Sequence, residues 1–358
     1  MNILITGGAG FIGSRLAEHL SQQGHSVVIF DNLHPQVHFG NETNFRIAKA
    51  SGARIVIGDI RSRDDIQQAI AASQPEVIFH LAAETGTGQS FDHPTRYTEV
   101  NVIGTTHLIE AIRSAGASVR RIVLAGSRSV YGEGACVNDD GVLTPAVARL
   151  AMDLQQGEYR PRSALGALLT PIATSAQTCT VAPASIYAST KLMQEYLLTQ
   201  AFWGSDVDVG ILRLQNVYGP GQSMSNPYTG VISIFADQIM QGKRLNIYED
   251  GEITRDFVFV NDVVAAFAAT LQVAQMGSAI VDIGSNEAST ILEVAEQLIG
   301  LVGQESSGLD ITGQFRAGDI RFALGDIARA KAILPWTPKV SIANGLARFA
   351  QWAKESRP

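Results

Sequence analysis

The sequence predicts an α/β protein built on a doubly wound parallel sheet, with a smaller mixed α/β domain at its C-terminal end. Three observations support this fold class. Short apolar runs alternate with amphipathic stretches up to residue 213, a glycine-rich segment follows the first run, and 46% of the 358 residues are hydrophobic. Strands that alternate with helices form a parallel sheet covered on both faces, and this composition is sufficient for a large core.

The apolar runs and the stretches between them give the individual elements. Strands are predicted at Ile3–Thr6, Ser26–Phe30, Arg54–Ile57, Val77–His80, Arg121–Ala125 and Val209–Arg213. Apolar residues at steps of three and four predict helices at Gly13–Gln23, Asp64–Ala72, Thr95–Ala115 and Tyr187–Phe202. Each helix then connects two parallel strands across one face of the sheet.

The periodicity changes after Arg213, where a glycine- and proline-containing stretch precedes a predicted helix at Val231–Met240. We therefore expect a dinucleotide-binding domain over residues 1–217 and a smaller domain over 218–358. A later segment, at about 256–270, is expected to return to the first domain. Residues 134–183 have weak periodicity and many small side chains, which indicates an insertion or a lid.

Charge and composition limit the possible partners. The formal net charge is −7 and no block of like charges occurs, so we expect neither nucleic acid nor a membrane surface as partner. No apolar run approaches the roughly 18 residues that a membrane helix needs. The chain reaches its first glycines directly after Thr6, without a cationic leader, and we expect a cytoplasmic protein that binds a small molecule.

Cysteine and histidine are distributed in a way that argues against disulfides and metal. The chain has two cysteines, Cys136 and Cys179, which is too few for a disulfide framework in a protein of this length. Its seven histidines all lie within the first 107 residues, without the spacing of metal ligands. We predict a reducing compartment, two free thiols and no metal site.

A glycine-rich turn lies between the first strand and the first helix. It contains Gly7, Gly10, Phe11, Ile12 and Gly13. Glycines at such a turn let the backbone approach a pyrophosphate closely, and the N-terminus of the helix offers unpaired N–H groups and a positive dipole end. This arrangement is the Rossmann dinucleotide site, and these five residues are predicted to bind the cofactor.

The choice of dinucleotide depends on Asp31, which ends the second strand about 20 residues after the turn. A carboxylate there accepts hydrogen bonds from ribose hydroxyls and repels the 2′-phosphate of NADP, so we predict NAD. The alternative interpretation is that Asp31 is a solvent-exposed acidic residue of a loop, without a role in cofactor binding. Further cofactor contacts are expected after the second, third and fourth strands, at Asn32, Asp59, Ile60, Leu81, Ala82 and Ala83.

A possible acid/base pair lies on the predicted helix that begins at Tyr187. Tyr187 and Lys191 are four residues apart, which places both side chains on one face of that helix. The ammonium is expected to lower the pKa of the phenol, so that Tyr187 acts as a base near neutral pH, while both residues contact the nicotinamide ribose. The pattern alone is common by chance.

Together with the glycine turn, this pair resembles the extended short-chain dehydrogenase/reductase family, and the resemblance covers nearly the whole chain. In that family a hydroxyl before the helix completes a catalytic triad. The stretch 125–132 matches that motif and assigns the role to Ser127, with Ser129 as the second candidate. For Ser129, satisfaction by the neighbouring backbone is an equally good interpretation.

The resemblance also implies binding residues. Asn101 resembles the asparagine that holds the active-site helix and the cofactor. Asn216 resembles the asparagine that contacts the diphosphate of a sugar nucleotide. Arg255 and Arg316 resemble the arginines that bind the same diphosphate from its two sides. Guanidinium groups suit phosphate oxygens because they donate in a bidentate manner. The family thus implies a nucleotide-sugar substrate.

The residues after Ser127 indicate the type of reaction. Sugar-nucleotide 4,6-dehydratases of this family carry Asp and Glu there, whereas this chain has Arg128 and Ser129, which we assign to substrate binding. Elimination is therefore disfavoured. The stretches 31–38, 222–230 and 247–251, with the insertion, resemble the dTDP-L-rhamnose 4-epimerase group, which implies an NAD-dependent 4-epimerase that acts through a 4-keto intermediate.

Three alternatives stay open. The chain is also compatible with an NAD(P)H-dependent 4-keto reductase of a dTDP-deoxysugar, or with a UDP-hexose or UDP-uronate 4-epimerase. A third alternative is an NAD-binding sensor or scaffold, although such a protein has no need of Ser127, Tyr187 and Lys191. Apolar residues on more than one side of the helices predicted at 95–115 and 187–202, with the resemblance, imply a homodimer.

Overall fold

The computed structural model describes residues 1–38, 42–114, 119–224, 226, 230–303, 307–316 and 318–356. Its centre is a seven-stranded sheet in which all neighbouring strands are parallel. In spatial order the strands are Ile280–Ile283, Asp208–Leu214, Arg121–Ser127, Val77–His80, Asn2–Thr6, Ser26–Asp31 and Arg54–Ile57. This architecture confirms the predicted doubly wound parallel fold.

The first strand shows why the sheet needs cover on both faces. Ile3, Leu4 and Ile5 are all fully buried, although successive side chains of a strand point to opposite faces. Ile3 and Ile5 pack in one core cluster with the helices Phe11–Gln22 and Val260–Ala269. Leu4 packs in a second cluster on the other face, with helices that include Arg63–Ser73, Gly104–Ser114 and Ile186–Ala201.

One predicted helix has a different local structure. The segment predicted as a single helix over 95–115 consists of a short helix at Pro94–Tyr97, a π-helical turn at Thr98–Ile103 and the helix Gly104–Ser114. The predicted last residue, Ala115, lies outside the described residues. A π-turn inserts an extra residue per turn and occurs often at functional sites. Here the turn contains the fully buried Asn101.

A second body with its own core follows the sixth strand. It contains a three-stranded sheet (Asn216–Tyr218, Thr254–Phe259, Ala288–Thr290) and a two-stranded one (Leu245–Ile247, Leu309–Ile311). Its helices are Val231–Met240, Ile291–Val302 and Ile342–Glu355, and the shorter helix Ala328–Ile333 packs against the main sheet. Aromatic and aliphatic side chains from these elements, among them Phe235, Phe257, Leu298 and Phe349, form one buried cluster.

The chain passes between the two bodies more than once. The strand Thr254–Phe259 belongs to the small sheet, whereas the helix Val260–Ala269 packs on Phe11–Gln22 and the strand Ile280–Ile283 pairs in the main sheet. The segment that returns to the main sheet therefore starts later than residue 256 and extends beyond 270. The strand Asn216–Tyr218 crosses the boundary expected at 217. The division into domains at that residue stays a prediction.

The segment 134–183 consists of short pieces packed beside the main sheet. Two small antiparallel sheets pair Cys136–Val137 with Thr170–Pro171 and Ala146–Val147 with Arg162–Ser163, and a short helix spans Ala151–Gln155. The backbone of Thr174 is hydrogen-bonded to Leu324 and Asp326 at 2.8 Å each. Within the described residues, no helix has both the length and the apolar character to cross a membrane.

A buried ion pair joins the helix Ile186–Ala201 to the sheet. Arg213 donates from Nε and Nη2 to the two carboxylate oxygens of Glu195 at 3.0 and 2.6 Å, and both side chains are at most 4% exposed. Such a pair is costly to break from one side, because the remaining charge stays buried without its partner.

We predict that Glu195→Gln destabilises the fold by about 3–5 kcal/mol, because Arg213 keeps its charge in the interior. Urea unfolding followed by circular dichroism measures the effect. Asp153→Asn serves as the control, since Asp153 pairs with Arg162 at a site where both side chains are 24–32% exposed, and its effect should stay below about 1 kcal/mol. Equal effects of the two substitutions would contradict the prediction.

Candidate active site

The glycine turn forms a narrow cradle at the carboxyl end of the first strand. Gly7 has a φ of +68°, and a Cβ atom added to it would lie 2.8 Å from the backbone nitrogen of Ala82. A Cβ on Gly13 would overlap the carbonyl oxygen of Gly7. The helix begins at Phe11, and its N-cap Gly10 has no side chain to cap the first N–H groups. The N–H groups of Phe11 and Ile12 thus suit phosphate oxygens.

Asp31 lies beside this cradle and is held in place by the backbone. Its Oδ2 accepts a hydrogen bond from the Ala9 N–H at 3.0 Å, and its Oδ1 accepts one from the Leu33 N–H at 2.8 Å. The carboxyl group is 8% exposed, and each oxygen keeps a second lone pair for a ribose hydroxyl. His38 Nε2 lies 3.6 Å from Oδ1. The sequence reasoning did not include Ala9 or His38 in the site.

The residues expected around the adenine end occupy the ends of the next strands. Asp59 accepts from Asn32 Nδ2 at 3.1 Å and from the guanidinium of Arg61, and the hydrogen bonds from Arg61 lower its pKa to about 2. Ile60 is buried under Gly104. The remaining three positions line the turn after the fourth strand, where backbone N–H groups are bonded to Thr6: Leu81, Ala82 and Ala83.

Asn101 connects the loop after the fourth strand to the helix Ile186–Ala201. Its Oδ1 accepts from the Glu84 N–H at 2.7 Å, and its Nδ2 donates to Glu84 O at 3.1 Å and to Thr190 Oγ1 at 2.9 Å. Thr190 stands between Tyr187 and Lys191 in the chain. The buried amide therefore fixes the helix that carries the acid/base pair, as the family resemblance implies for this residue.

The structure brings Ser127 and Tyr187 together. Ser127 is the last residue of the strand Arg121–Ser127, and its hydroxyl lies close enough to the Tyr187 phenol to favour the phenolate. Ser129 donates from its hydroxyl to Ser127 Oγ at 2.9 Å, and its N–H donates to the same oxygen at 3.2 Å. Ser129 thus orients Ser127, and its hydroxyl is satisfied within the turn.

Lys191 lies in a buried polar network behind the phenol. Its Nζ donates to Gln194 Oε1, and burial lowers its pKa to about 8, against an opposing effect of Glu195. Gln194 Nε2 in turn donates to Thr105 Oγ1 at 2.9 Å and lies 3.2 Å from His80 Nε2. Burial, and secondarily Lys191, lowers the pKa of His80 to about 3, so this ring is neutral at physiological pH.

The expected effect of Lys191 on the phenol is not the one found. The pKa of Tyr187 is raised, because burial of the ring disfavours the phenolate more than the nearby Ser127 hydroxyl favours it. In this structure the ammonium of Lys191 is bonded to Gln194. Tyr187 is therefore protonated near neutral pH here and is prepared as a hydrogen-bond donor.

The predicted substrate residues lie on the small-sheet side of Ser127. Arg128 is buried, donates from Nη2 to Gly132 O at 2.9 Å, and has a pKa lowered to about 10 by burial and by the nearby Arg255. Arg255 donates from Nη2 to Asp319 Oδ1 at 2.6 Å. Two guanidinium groups close together in the interior suit a doubly charged anion.

The other two predicted substrate residues, Asn216 and Arg316, lie in the small body. Asn216 begins the strand that pairs beside Phe257, two residues along from Arg255. Arg316 is exposed, with its guanidinium 5.0 Å from the centre of the Tyr248 ring. The described parts of the chain contain no group of three or more His, Cys, Asp or Glu side chains that could hold a metal ion. Cys136 and Cys179 are both free thiols.

Sequence comparisons relate the chain to known epimerases. The model of the NAD dependent epimerase/dehydratase family matches residues 3–150 and 162–284. The chain is 39% identical over 350 residues to a dTDP-L-rhamnose 4-epimerase of Burkholderia thailandensis, covering 98% of this chain and 94% of that protein. It is 33% identical over 357 residues to a UDP-glucose 4-epimerase of Mycolicibacterium smegmatis, with 98% of each chain covered.

Solved structures agree with these relatives. The chain is similar to the UDP-glucose 4-epimerase of Thermotoga maritima with UDP-glucose, with a TM-score of 0.80 and 26% identity over 99% of both chains. It is also similar to the UDP-glucose 4-epimerase of Thermus thermophilus in complex with NAD, with a TM-score of 0.78 and 26% identity over 99% of both chains.

These findings confirm the family inferred from the glycine turn and the Tyr187–Lys191 pair, and they confirm NAD as the cofactor. The roles of the individual site residues stay predictions. Because the family model covers most of the chain and the relatives extend over nearly all of it, the protein belongs to the NAD-dependent epimerase/dehydratase family and is an NAD-dependent enzyme of the nucleotide-sugar epimerase type.

Proposed function

We propose that the protein interconverts the C4 epimers of a nucleotide-activated sugar through a transient 4-keto intermediate, and that its substrate is a dTDP-6-deoxyhexose such as dTDP-L-rhamnose. The observation that carries this proposal is the approach of the Ser127 hydroxyl to the Tyr187 phenol at the carboxyl edge of the sheet, with Lys191 one helical turn away. An acid/base pair at this place serves redox chemistry on a hydroxyl group.

Each side chain of the triad has a distinct task in this proposal. Tyr187 takes the proton from the C4 hydroxyl and later returns it, while Ser127 holds the same oxygen by a hydrogen bond. Lys191 donates to the nicotinamide ribose. Bound NAD supplies the hydride acceptor for C4 and a positive charge that favours the phenolate, which offsets the effect of burial on the pKa of Tyr187.

The residues after Ser127 argue against elimination of water. A dehydratase needs a carboxylic acid there to protonate the leaving oxygen, whereas Arg128 is engaged with Gly132 O and Ser129 with Ser127 Oγ. Neither side chain is suited to deliver a proton at neutral pH. A simple oxidation and reduction at one carbon needs no second acid, which agrees with the residues present.

Sequence similarity supports the choice of sugar. The identity to a dTDP-L-rhamnose 4-epimerase is 39%, against 33% for a UDP-glucose 4-epimerase of equal coverage of this chain. A UDP-hexose or UDP-uronate epimerase and a 4-keto reductase are the competing functions. They differ from the proposal in the nucleotide, the group at C6 and the demand for external reductant, so one set of assays separates them.

We predict that the purified protein interconverts C4 epimers of dTDP-L-rhamnose without added cofactor, because the hydride taken from C4 returns to the other face of the same carbon. Substrate deuterated at C4 should give an epimer that retains the label, as measured by mass spectrometry. A protein that leaves this substrate unchanged, and that oxidises one equivalent of NADH while it reduces the corresponding dTDP-4-keto sugar, would be a reductase. Turnover of UDP-sugars alone would correct the substrate, and binding of NAD without any turnover would favour a sensor.

We further predict that Tyr187→Phe lowers the turnover number by about 10²–10⁴-fold, the usual contribution of a positioned proton-transfer group. The variant should still retain NAD, because the cradle and Asp31 are untouched. Turnover is measured by product chromatography and NAD content by absorbance after denaturation. Phe267→Leu, a core substitution outside the site, serves as the control for general destabilisation. Unchanged turnover in Tyr187→Phe would remove this residue from the chemistry.

We also propose a homodimer formed through the helix Ile186–Ala201. Leu192 and Leu198 of this helix are buried in the core, yet Met193 and Tyr196 are 44% and 51% exposed, so apolar side chains occupy its outward side as well. Such a second apolar face is typical of a surface that another subunit covers.

For this dimer we predict that Tyr196→Glu shifts the sedimentation coefficient from that of a dimer to that of a monomer at micromolar concentration, because a carboxylate is costly in an apolar interface. Leu165→Glu is the matched control, since Leu165 is a 97% exposed apolar residue in the 134–183 segment. A monomeric wild-type protein, or equal behaviour of both variants, would contradict the proposed interface.

A further inference from the structure

A buried cluster of charges lies where the 134–183 segment meets the small body. Arg149, from that segment, has a side chain that is 3% exposed. Its Nε lies 3.3 Å from Glu133 Oε1, and its Nη1 donates to Glu249 Oε2 at 3.0 Å. Glu133 directly follows the turn after Ser127, and the Glu249 side chain is fully buried. One guanidinium therefore joins the catalytic side of the sheet to the small body.

The same guanidinium also holds backbone groups. Its Nη2 donates to the carbonyl oxygen of Asp319 at 2.9 Å, and its Nη1 donates to that of Tyr159 at 3.2 Å. Arg321, two residues after Asp319, contacts both carboxylates. Its N–H donates to Glu133 Oε2 at 3.0 Å, and its guanidinium donates to Glu249 Oε2 at 3.0 Å. The short segment 319–321 is thus fixed at both ends by Arg149 and its carboxylate partners.

This segment is directly connected to the two arginines assigned to the diphosphate. Asp319 Oδ1 accepts from Arg255 Nη2 at 2.6 Å, and the Asp319 N–H donates to Arg316 O at 3.2 Å. Arg149 is therefore two hydrogen bonds away from the Arg255 guanidinium, through the backbone and the side chain of Asp319. A displacement of Asp319 therefore changes the position of the Arg255 guanidinium and of the Arg316 backbone.

The burial of Arg149 is unusual for its segment. The side chains of Arg160 and Arg162, in the same segment, are 60% and 32% exposed and pair with carboxylates of the segment itself. An arginine is taken out of water only at a high cost, which bidentate contacts and backbone acceptors offset. Arg149 has two backbone acceptors and contacts both carboxylate oxygens of Glu249, and its charged partners Glu133 and Glu249 lie outside the segment.

We propose that Arg149 is a positioning residue for the sugar-nucleotide site, and that the 134–183 segment is a fixed wall of this site and does not open as a lid. Through Asp319, Arg149 holds the Arg255 guanidinium in the geometry that binds a nucleoside diphosphate. The proposal rests on the proposed function for the existence of that diphosphate site. It adds a residue that makes no contact with the diphosphate itself.

The test measures binding of dTDP and of UDP to the NAD-containing protein by titration calorimetry. We predict that Arg149→Met weakens the binding of the preferred nucleotide by about 10- to 100-fold, the effect of misplacing positioned groups by a fraction of an ångström to an ångström. NAD content should equal that of the wild type, because the glycine cradle and Asp31 follow strands that are two and three positions away in the sheet from the strand that leads to Glu133. A merely structural residue would weaken NAD and nucleotide together.

Two further variants make the result decisive. Arg162→Met removes an arginine of the same segment that pairs with Asp153 and should leave nucleotide affinity unchanged. Arg149→Met leaves Glu249 buried with less compensation, so the double variant Arg149→Met/Glu249→Gln removes both charges. We expect it to recover thermal stability relative to the single variant while nucleotide affinity stays low. Wild-type affinity in this folded double variant would overturn the proposal.

Binding and turnover separate this proposal from the proposed function. A wild-type protein that binds dTDP or UDP but epimerises no sugar nucleotide contradicts the epimerase function and leaves the role of Arg149 testable by binding. Equal nucleotide affinity of the wild type and the Arg149 variants, in a protein that epimerises its substrate, contradicts the role of Arg149 alone.

Discussion

Parallel pairing is the constraint on which the site depends, because it places the carboxyl ends of all strands at one edge of the sheet. Thr6, Asp31, His80 and Ser127 are the last residues of four such strands. Each is distant from the others in the chain, yet the register of the sheet brings them to the same edge. The glycine turn then follows from this constraint, since only a residue without a Cβ fits between the first strand and the backbone of Ala82.

Burying charged groups at this edge costs free energy, and ion pairs and a neutral histidine near Tyr187 reduce that cost. Lys191 keeps a pKa of about 8 although it is buried, because Glu195 opposes the desolvation. Glu195 is itself fixed by Arg213 on the adjacent strand. His80 stays neutral because burial and the nearby Lys191 lower its pKa, so it does not place a second positive charge beside the ammonium. The ion pair that stabilises the fold and the ammonium assigned to the cofactor are therefore parts of one charge arrangement, and neither can be changed without an effect on the other.

Local patterns predicted those parts of the site that local geometry determines. The spacing from the glycine turn to Asp31, and from Tyr187 to Lys191, follows from elements that are contiguous in the chain. Gln194 was not predicted, because its partners are distant in sequence. The direction of the pKa shift of Tyr187 was wrong, since burial is a property of the whole fold. The strand Ile280–Ile283 was missed because it joins the main sheet only after the chain has passed through the small body, and no short-range pattern marks such a return.

The contacts of the 134–183 segment could not be predicted from its own sequence, because its periodicity is weak and its partners are distant in the chain. Its paired strands are only two residues long, yet Arg149 is bonded to the carbonyl oxygen of Asp319, and Thr174 to the backbone of Leu324 and Asp326. A lid must separate from its partner at low cost, whereas the departure of Arg149 would leave Glu133 and Glu249 buried with less compensation for their charges. The cost of breaking such contacts from one side is several kcal/mol. The charge cluster therefore favours a fixed wall, and it makes the position of Arg255 a consequence of a residue that is more than 100 positions away in the sequence.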